Sequence, residues 1–78
     1  MTHTPHELHE EFPEHADKLH ELKVSDTHFA HLSDQYHEIN RAIHRAETEV
    51  EPTDDLHLEE MKKQRLHLKD QIAEMLHG

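Results

Sequence analysis

The feature that most constrains the fold of this chain is a pair of apolar runs on either side of the polar break Glu51-Pro52-Thr53-Asp54. The first run alternates steps of three and four residues, through Phe29, Leu32, Tyr36, Ile39, Ile43, Ala46 and Val50. The second run has the same spacing, through Leu58, Met61, Arg65, Leu68, Ile72 and Met75. Each set lies on one face of a helix with the repeat of a coiled-coil seam. The sequence therefore predicts an all-α antiparallel helical hairpin, or coiled coil, with a long first helix.

Capping residues and prolines predict where the helices begin and end. Thr4-Pro5-His6-Glu7 combines a capping Thr, Pro at the first helical position and Glu three residues after the cap. Pro13 disfavours helical geometry at Phe12, so it either kinks the helix or restarts it, and a restart is favoured. Thr53 is expected to cap the last helix. We predict one domain over residues 1–78. Its elements are a short helix at about 5–11, a long helix at about 13–50, a turn at about 51–53 and a second hairpin helix at about 54–77.

The apolar residues near the N-terminus extend past the end of this hairpin. If the chain turns near Pro52, the second helix ends opposite Asp26 to Phe29, close to where the apolar register loses phase at Ser25-Asp26. The residues left without a partner, unless the N-terminus folds back, are Leu8, Phe12, Leu19, Leu22 and Val24. Each buried apolar side chain contributes about 1.5–3 kcal/mol, so we expect a second copy of the chain to cover them. The favoured state is a dimer, and its predicted interface is Leu8, Phe12, Leu19, Leu22 and Phe29.

Composition excludes several classes of function. The chain has 18 Asp and Glu against 8 Lys and Arg, and a formal charge of −10, which repels nucleic acid and anionic membranes. It has no Cys and a single Gly, so disulfides and a Gly-rich phosphate loop are not expected. No apolar run approaches the roughly 20 residues of a membrane span, and the first five residues lack signal-peptide features. A cytoplasmic protein is expected, with no cofactor and no enzymatic activity, since neither Ser25 nor Ser33 has a nucleophile's surroundings.

A positive patch stands out in the second hairpin helix. All four basic residues after position 53 lie between Lys62 and Lys69, with no acid among them. Arg65 falls near the middle of the apolar face, opposite Ile39 if the chain turns near Pro52. We expect Lys62, Arg65 and Lys69 to fix the register by pairing with acids of the first hairpin helix. The candidate acids are Asp34, Glu38 and Glu47. The functional alternative is a receptor surface for an acidic partner segment.

Histidine is unusually abundant, with 12 in 78 residues. The candidate metal ligands, which recur at three-residue steps, are His3, His6, His9, His28 and His31. Such steps can place two imidazoles on one helix face, as a Zn or Ni site requires. None of these pairs has the four-residue spacing of a helical zinc motif, so solvated surface histidines are the favoured interpretation. A metal- or pH-responsive module is the alternative, since protonation of all 12 would move the formal charge from −10 to +2.

Several segments together resemble a known family. They are Phe12-Pro13-Glu14, Asp26-Thr27-His28-Phe29, Tyr36 with Ile39-Asn40 and Ile43, and the run from Lys62 to Ile72. The most distinctive part is Lys-x-x-Arg-Leu-x-Leu-Lys-Asp-x-Ile in that last run. The pattern resembles the YdcH-like family of small bacterial proteins over nearly the whole chain. The resemblance implies a mainly helical protein of uncharacterised function and carries over no catalytic residues. We therefore expect a protein that acts by self-association or by binding an unidentified protein.

Overall fold

A computed structural model describes residues 6–48 and 54–77. This part of the chain forms α1 (Leu8–Glu11), a 3-10 turn (Pro13–His15), α2 (Ala16–Ser25), α3 (Thr27–Thr48) and α4 (Asp55–His77), with no strand among the described residues. The long helices α3 and α4 pack against each other, which confirms the all-α helical hairpin. The predicted turn at 51–53 lies outside the described residues, as do Val50, Thr53, Thr4 and Pro5.

The segment predicted as one helix over 13–50 is divided at Asp26. A helix of that span would be about 57 Å long, whereas the longest dimension of the molecule is 38 Å. Asp26 has extended backbone angles, φ −124° and ψ 110°. Its N–H donates to the Leu22 carbonyl at 2.8 Å, closing α2, and its carboxylate accepts the Phe29 N–H at 3.1 Å, opening α3. An Asp that caps the next helix in this way ends the previous one, so the loss of phase is a corner in the chain.

The first helix begins later than its predicted start near residue 5. His6 has φ 64°, in the left-handed region, and a right-handed helix cannot run through such a residue. Glu7 is the N-cap, and its backbone N–H donates to Glu10 Oε1 at 3.4 Å. The helix ends before Phe12, which has φ −128° and ψ 62°, as Pro13 predicts.

The N-terminal arm, residues 6–25, folds back over the hairpin. The main core cluster consists of Leu19, Phe29, Leu32, Tyr36, Ile72 and Leu76. Three further arm residues, Leu8, Phe12 and Leu22, are partly buried against it. The corner at Asp26 reverses the chain, so the arm's own apolar residues, for which a second copy was expected, pack against the hairpin instead. Val24 alone of that set stays largely exposed, at 77%. The apolar overhang therefore no longer motivates a dimer, and self-association needs another surface.

Four residues of the predicted α3 seam, Phe29, Leu32, Tyr36 and Ile43, are buried, but Asn40 takes the place predicted for Ile39. Asn40 is 1% exposed, whereas Ile39 is only half-buried. Arg65 accordingly meets Asn40, through a 2.9 Å hydrogen bond from Nη1 to Oδ1, and not Ile39. A straight helix drifts relative to a 3.5-residue repeat, and α3 is covered from two directions, by α4 and by the arm. The same drift buries Leu76 more fully than Met75 in α4.

Candidate functional site

The positive patch of α4 is occupied by contacts within the chain. Lys62 Nζ lies 3.2 Å from Glu47 Oε2, as the sequence predicts. Lys69 Nζ instead donates to Glu11 Oε1 at 3.0 Å, and this carboxylate belongs to the arm. The two other candidate acids, Asp34 and Glu38, are exposed. Glu11 could not be named from spacing alone, because its partner is 58 residues away.

A second set of polar contacts fixes the first turn of the arm to α3. The Tyr36 hydroxyl donates to the His6 carbonyl at 2.6 Å. His37 Nδ1 lies 3.1 Å from Glu7 Oε2, and His6 Nδ1 lies 3.4 Å from Glu11 Oε1. The hairpin residues that meet this part of the arm form what we call the arm-binding face, defined by Phe29, Tyr36, His37, Lys69 and Ile72.

The charges at this face are set by their surroundings. The hydrogen bond and charge of Lys69 lower the pKa of Glu11 below its usual 4.5, although burial opposes the effect. Burial raises the pKa of Tyr36 to about 12, and the charges of Glu11 and Glu7 add to the rise while Arg65 opposes it. Glu11 is therefore an anion at neutral pH, and Tyr36 is a neutral hydrogen-bond donor. Because the pKa of Glu11 is depressed, the stability that it contributes is present above pH 4.5 and is lost as the pH falls further.

The arm is also attached at the end of α4. Lys18 Nζ donates to the Leu76 carbonyl at 2.7 Å, a favourable place for a cation because the last carbonyls of a helix lack partners. The rings of His15 and His77 meet edge to face at 5.3 Å. Between these attachments, a cleft of about 400 Å³ separates the arm from α3, with Leu19 and Tyr36 on its walls. The arm is thus joined at both ends and incompletely packed between them.

The other flank of the hairpin carries an open groove of about 700 Å³ between α3 and α4. Its apolar floor is Ile39, Ala42 and Leu68. Its polar rim is Gln35, Glu38, Arg45, Lys63, Gln64 and His67. At 100° per residue, the floor residues Ile39 and Ala42 lie about 160° and about 140° around α3 from His37. The sequence analysis did not predict the groove, because it placed Ile39 inside the seam. The pair Ile39 and Ala42 forms a second apolar stripe on α3, and this pattern could have indicated the groove.

Four of the five histidines proposed as metal ligands lie in the part of the chain that the structure describes. His9, His28 and His31 are exposed, His6 lies beside Glu11, and His3 is outside the described residues. Within residues 6–48 and 54–77, no three His, Asp or Glu side chains are grouped as a metal site requires. The same part of the chain has no helix long and apolar enough to cross a membrane.

Comparison with known proteins places the hairpin in a family. Neither a curated protein nor a solved structure matches the chain significantly. Residues 29–76 match the family described as Protein of unknown function (DUF465). This segment runs from the first buried residue of α3 to the last buried residue of α4, so it contains the groove and the arm-binding face but not the arm. The match spans more than half of the chain, and YdcH-like proteins belong to the same family. The resemblance is confirmed: this chain is a member of the DUF465 family.

Proposed function

We propose that this protein acts non-enzymatically, in the cytoplasm, as a helical-hairpin interaction protein that self-associates through the open groove. The observation that carries the proposal is the groove itself, whose apolar floor of Ile39, Ala42 and Leu68 is left uncovered by the arm. A chain of 78 residues has little core of its own. Covering this floor would bury further apolar area at about 25 cal/mol per Å².

The charges beside the groove favour a second copy as its occupant. The bond between Arg65 and Asn40 sets the level at which α3 and α4 face each other. Because the two helices are antiparallel, a step forward along α3 corresponds to a step backward along α4. Five residues from the bond in one direction, Arg45 is therefore level with Glu60, and two residues from it in the other direction, Glu38 is level with His67. In a twofold dimer, α3 of each copy would lie over α4 of the other. Each of these pairs would then form two contacts between the copies, one on each side of the twofold axis. An isologous interface needs such self-complementary charges.

Groove variants of the full chain test the proposal. Ile39→Glu and Leu68→Glu each place a carboxylate on the apolar floor, which a dimer would have to bury unpaired. Leu66→Glu is the matched control, because Leu66 is 58% exposed and lies outside the groove. By sedimentation equilibrium at tens of micromolar, we expect dimers for the natural chain and the control, and monomers of unchanged helicity for the groove variants. A monomeric natural chain, or dimeric groove variants, would contradict the proposal.

A pH-responsive role is a second candidate, favoured by the two histidine–carboxylate contacts of the arm. His37 Nδ1 lies 3.1 Å from Glu7 Oε2, and His6 Nδ1 lies 3.4 Å from Glu11 Oε1. The groups that face these two carboxylates from the hairpin are His37 and Lys69. A pH-responsive arm would be held differently at about pH 6 and at about pH 8. Hydrogen exchange of arm amides, compared with that of a His37→Gln variant, would measure the difference.

A further inference from the structure

We propose that the arm-binding face is a second interaction surface, which takes an acidic amphipathic helix of another protein and which the arm occupies in its absence. This face lies on a different flank from the groove, so the proposal does not depend on self-association. It rests on the contacts that the arm makes with this face in the structure.

The bound arm defines the chemistry of the ligand. Two carboxylates four residues apart, Glu7 and Glu11, reach His37 at 3.1 Å and Lys69 at 3.0 Å. The residue after each, Leu8 and then Phe12, packs against the core cluster. Glu7 is the N-cap of α1 and Glu11 is its last residue, so the two carboxylates are about one helical turn apart on the same side. The face therefore recognises a helix with two acids at that spacing, each followed by a large apolar residue.

The arm is a weak occupant of this face. Its helix α1 has four residues, far fewer than the roughly 12–15 that an isolated helix needs in water. The two histidine contacts and the Lys69–Glu11 pair involve side chains that are 19–52% exposed, so water screens them. The cleft of about 400 Å³ behind the arm adds little packing. The first turn can therefore separate locally while the α3–α4 hairpin stays folded.

A continuous partner helix would bind the same face with less cost of ordering. It would already have the hydrogen-bonded turns that α1 lacks, and preorganisation of this kind raises affinity. The family match separates the arm-binding face from the arm that covers it. Residues 29–76 include Lys69 and Tyr36 of the face but not Glu7 and Glu11 of the arm. Release of the arm would also remove the His6 acceptor from the buried Tyr36 hydroxyl, and a bound partner would cover that ring again.

The chain offers its own reporter for this exchange. Tyr36 is the only tyrosine and there is no tryptophan, so tyrosine fluorescence reports the arm-binding face. A synthetic peptide of residues 6–25 contains neither residue and is a silent probe of the proposed chemistry. The matched control peptide carries Glu7→Gln and Glu11→Gln. Both are titrated into full-length chains at equal concentration.

Four full-length variants make the experiment decisive. A chain with Glu7→Gln and Glu11→Gln has a weakened arm and should bind the peptide about tenfold more tightly than the natural chain, because the internal competitor is populated less. Lys69→Gln should weaken peptide binding, and Lys69→Glu should abolish it. Leu56→Glu, at an exposed position of the same helix outside both surfaces, should bind like the natural chain. Circular dichroism of each variant checks that the hairpin remains folded.

Three outcomes would overturn the proposal. One is equal binding of the acidic and the Gln-containing peptides, which would remove the role of the carboxylates. Another is equal affinity of the natural and arm-weakened chains, which would show that the arm and the peptide do not compete. The third is a dimer of the natural chain that Lys69→Gln disrupts, which would show arms exchanged between two copies and no surface for another protein. None of these results depends on the groove, which Ile39→Glu tests separately.

Discussion

Tyr36 and Asn40 bring polar groups to the most buried side of α3, and both side chains are 1% exposed. Each is bonded to a different part of the chain. The Tyr36 hydroxyl reaches the His6 carbonyl of the arm, and Asn40 Oδ1 accepts from Arg65 of α4. Since buried polar groups are costly to leave unpaired, these two bonds specify how the arm and α4 sit on α3. The sequence predicted Arg65 on the buried face but not its partner, because an Asn beside an apolar stripe looks like a surface residue.

Tyr36 should make the stability of the protein depend on alkaline pH. Its pKa is raised to about 12, so its contribution is complete below the unfolded value of about 10 and is lost as the pH rises toward 12. Two pKa units correspond to about 2–3 kcal/mol. Tyr36→Phe removes this titration, although it also loses the hydrogen bond to His6. The stability of the natural chain relative to Tyr36→Phe, measured by urea unfolding, should therefore fall as the pH rises from about 9 to about 12. A difference between the two chains that stays constant would contradict the argument, because lysine titration is common to both chains.

Arg65 should be tolerant of an apolar replacement and intolerant of an acid. Arg65→Met is expected to cost about 1 kcal/mol, the value of the lost bond to Asn40. Arg65→Glu should cost about 3 kcal/mol, because a carboxylate would face the Asn40 carbonyl oxygen. Urea unfolding of a double-mutant cycle with Asn40→Ala should give a coupling of about 1 kcal/mol. A coupling near zero would mean that the bond does not hold the two helices in register.

At the scale of elements, the corner at Asp26 decides the architecture. One residue ends α2 through its backbone N–H and begins α3 through its side chain. The sequence showed the apolar phase changing here, and Pro13 gave the end of α1. The return of the arm was left open as an alternative, because it depends on contacts such as Tyr36 with His6 and Lys18 with Leu76, 30 and 58 residues apart. Periodicity reports one helix at a time and contains no information about such distant pairs.

Asp26→Ala should destabilise the protein by about 1 kcal/mol, the usual cost of losing an N-cap. Asp26→Asn keeps an acceptor for the Phe29 N–H and should cost only a few tenths. Thermal or urea unfolding of the two variants measures the difference. Equal stabilities would show that the carboxylate does not cap α3 and that another feature forms the corner.

At the scale of the whole molecule, the two flanks of the hairpin differ in whether the arm covers them. The arm covers one with polar contacts to His37 and Lys69, and the other keeps an apolar floor that is only half-buried. The interface predicted from the overhanging stripe became core, since Leu19 is 9% and Phe29 1% exposed. Self-association therefore stays a prediction, now based on the groove. Each copy carries a formal charge of −10, so long-range repulsion opposes a dimer and the local charge pairs beside the groove must outweigh it.

The most direct test of groove-mediated self-association is charge reversal at the pair Arg45 and Glu60. Both are exposed and lie at the same level of the hairpin, and the proposed dimer joins each to the other in the second copy. Sedimentation equilibrium is run at about 0.15 M salt, where charges more than about 8 Å apart are screened. We predict that the natural chain is a dimer, that Arg45→Glu and Glu60→Arg each weaken it, and that the double variant regains it. A natural chain that is monomeric, or a double variant that dimerises no better than the single ones, would contradict this account.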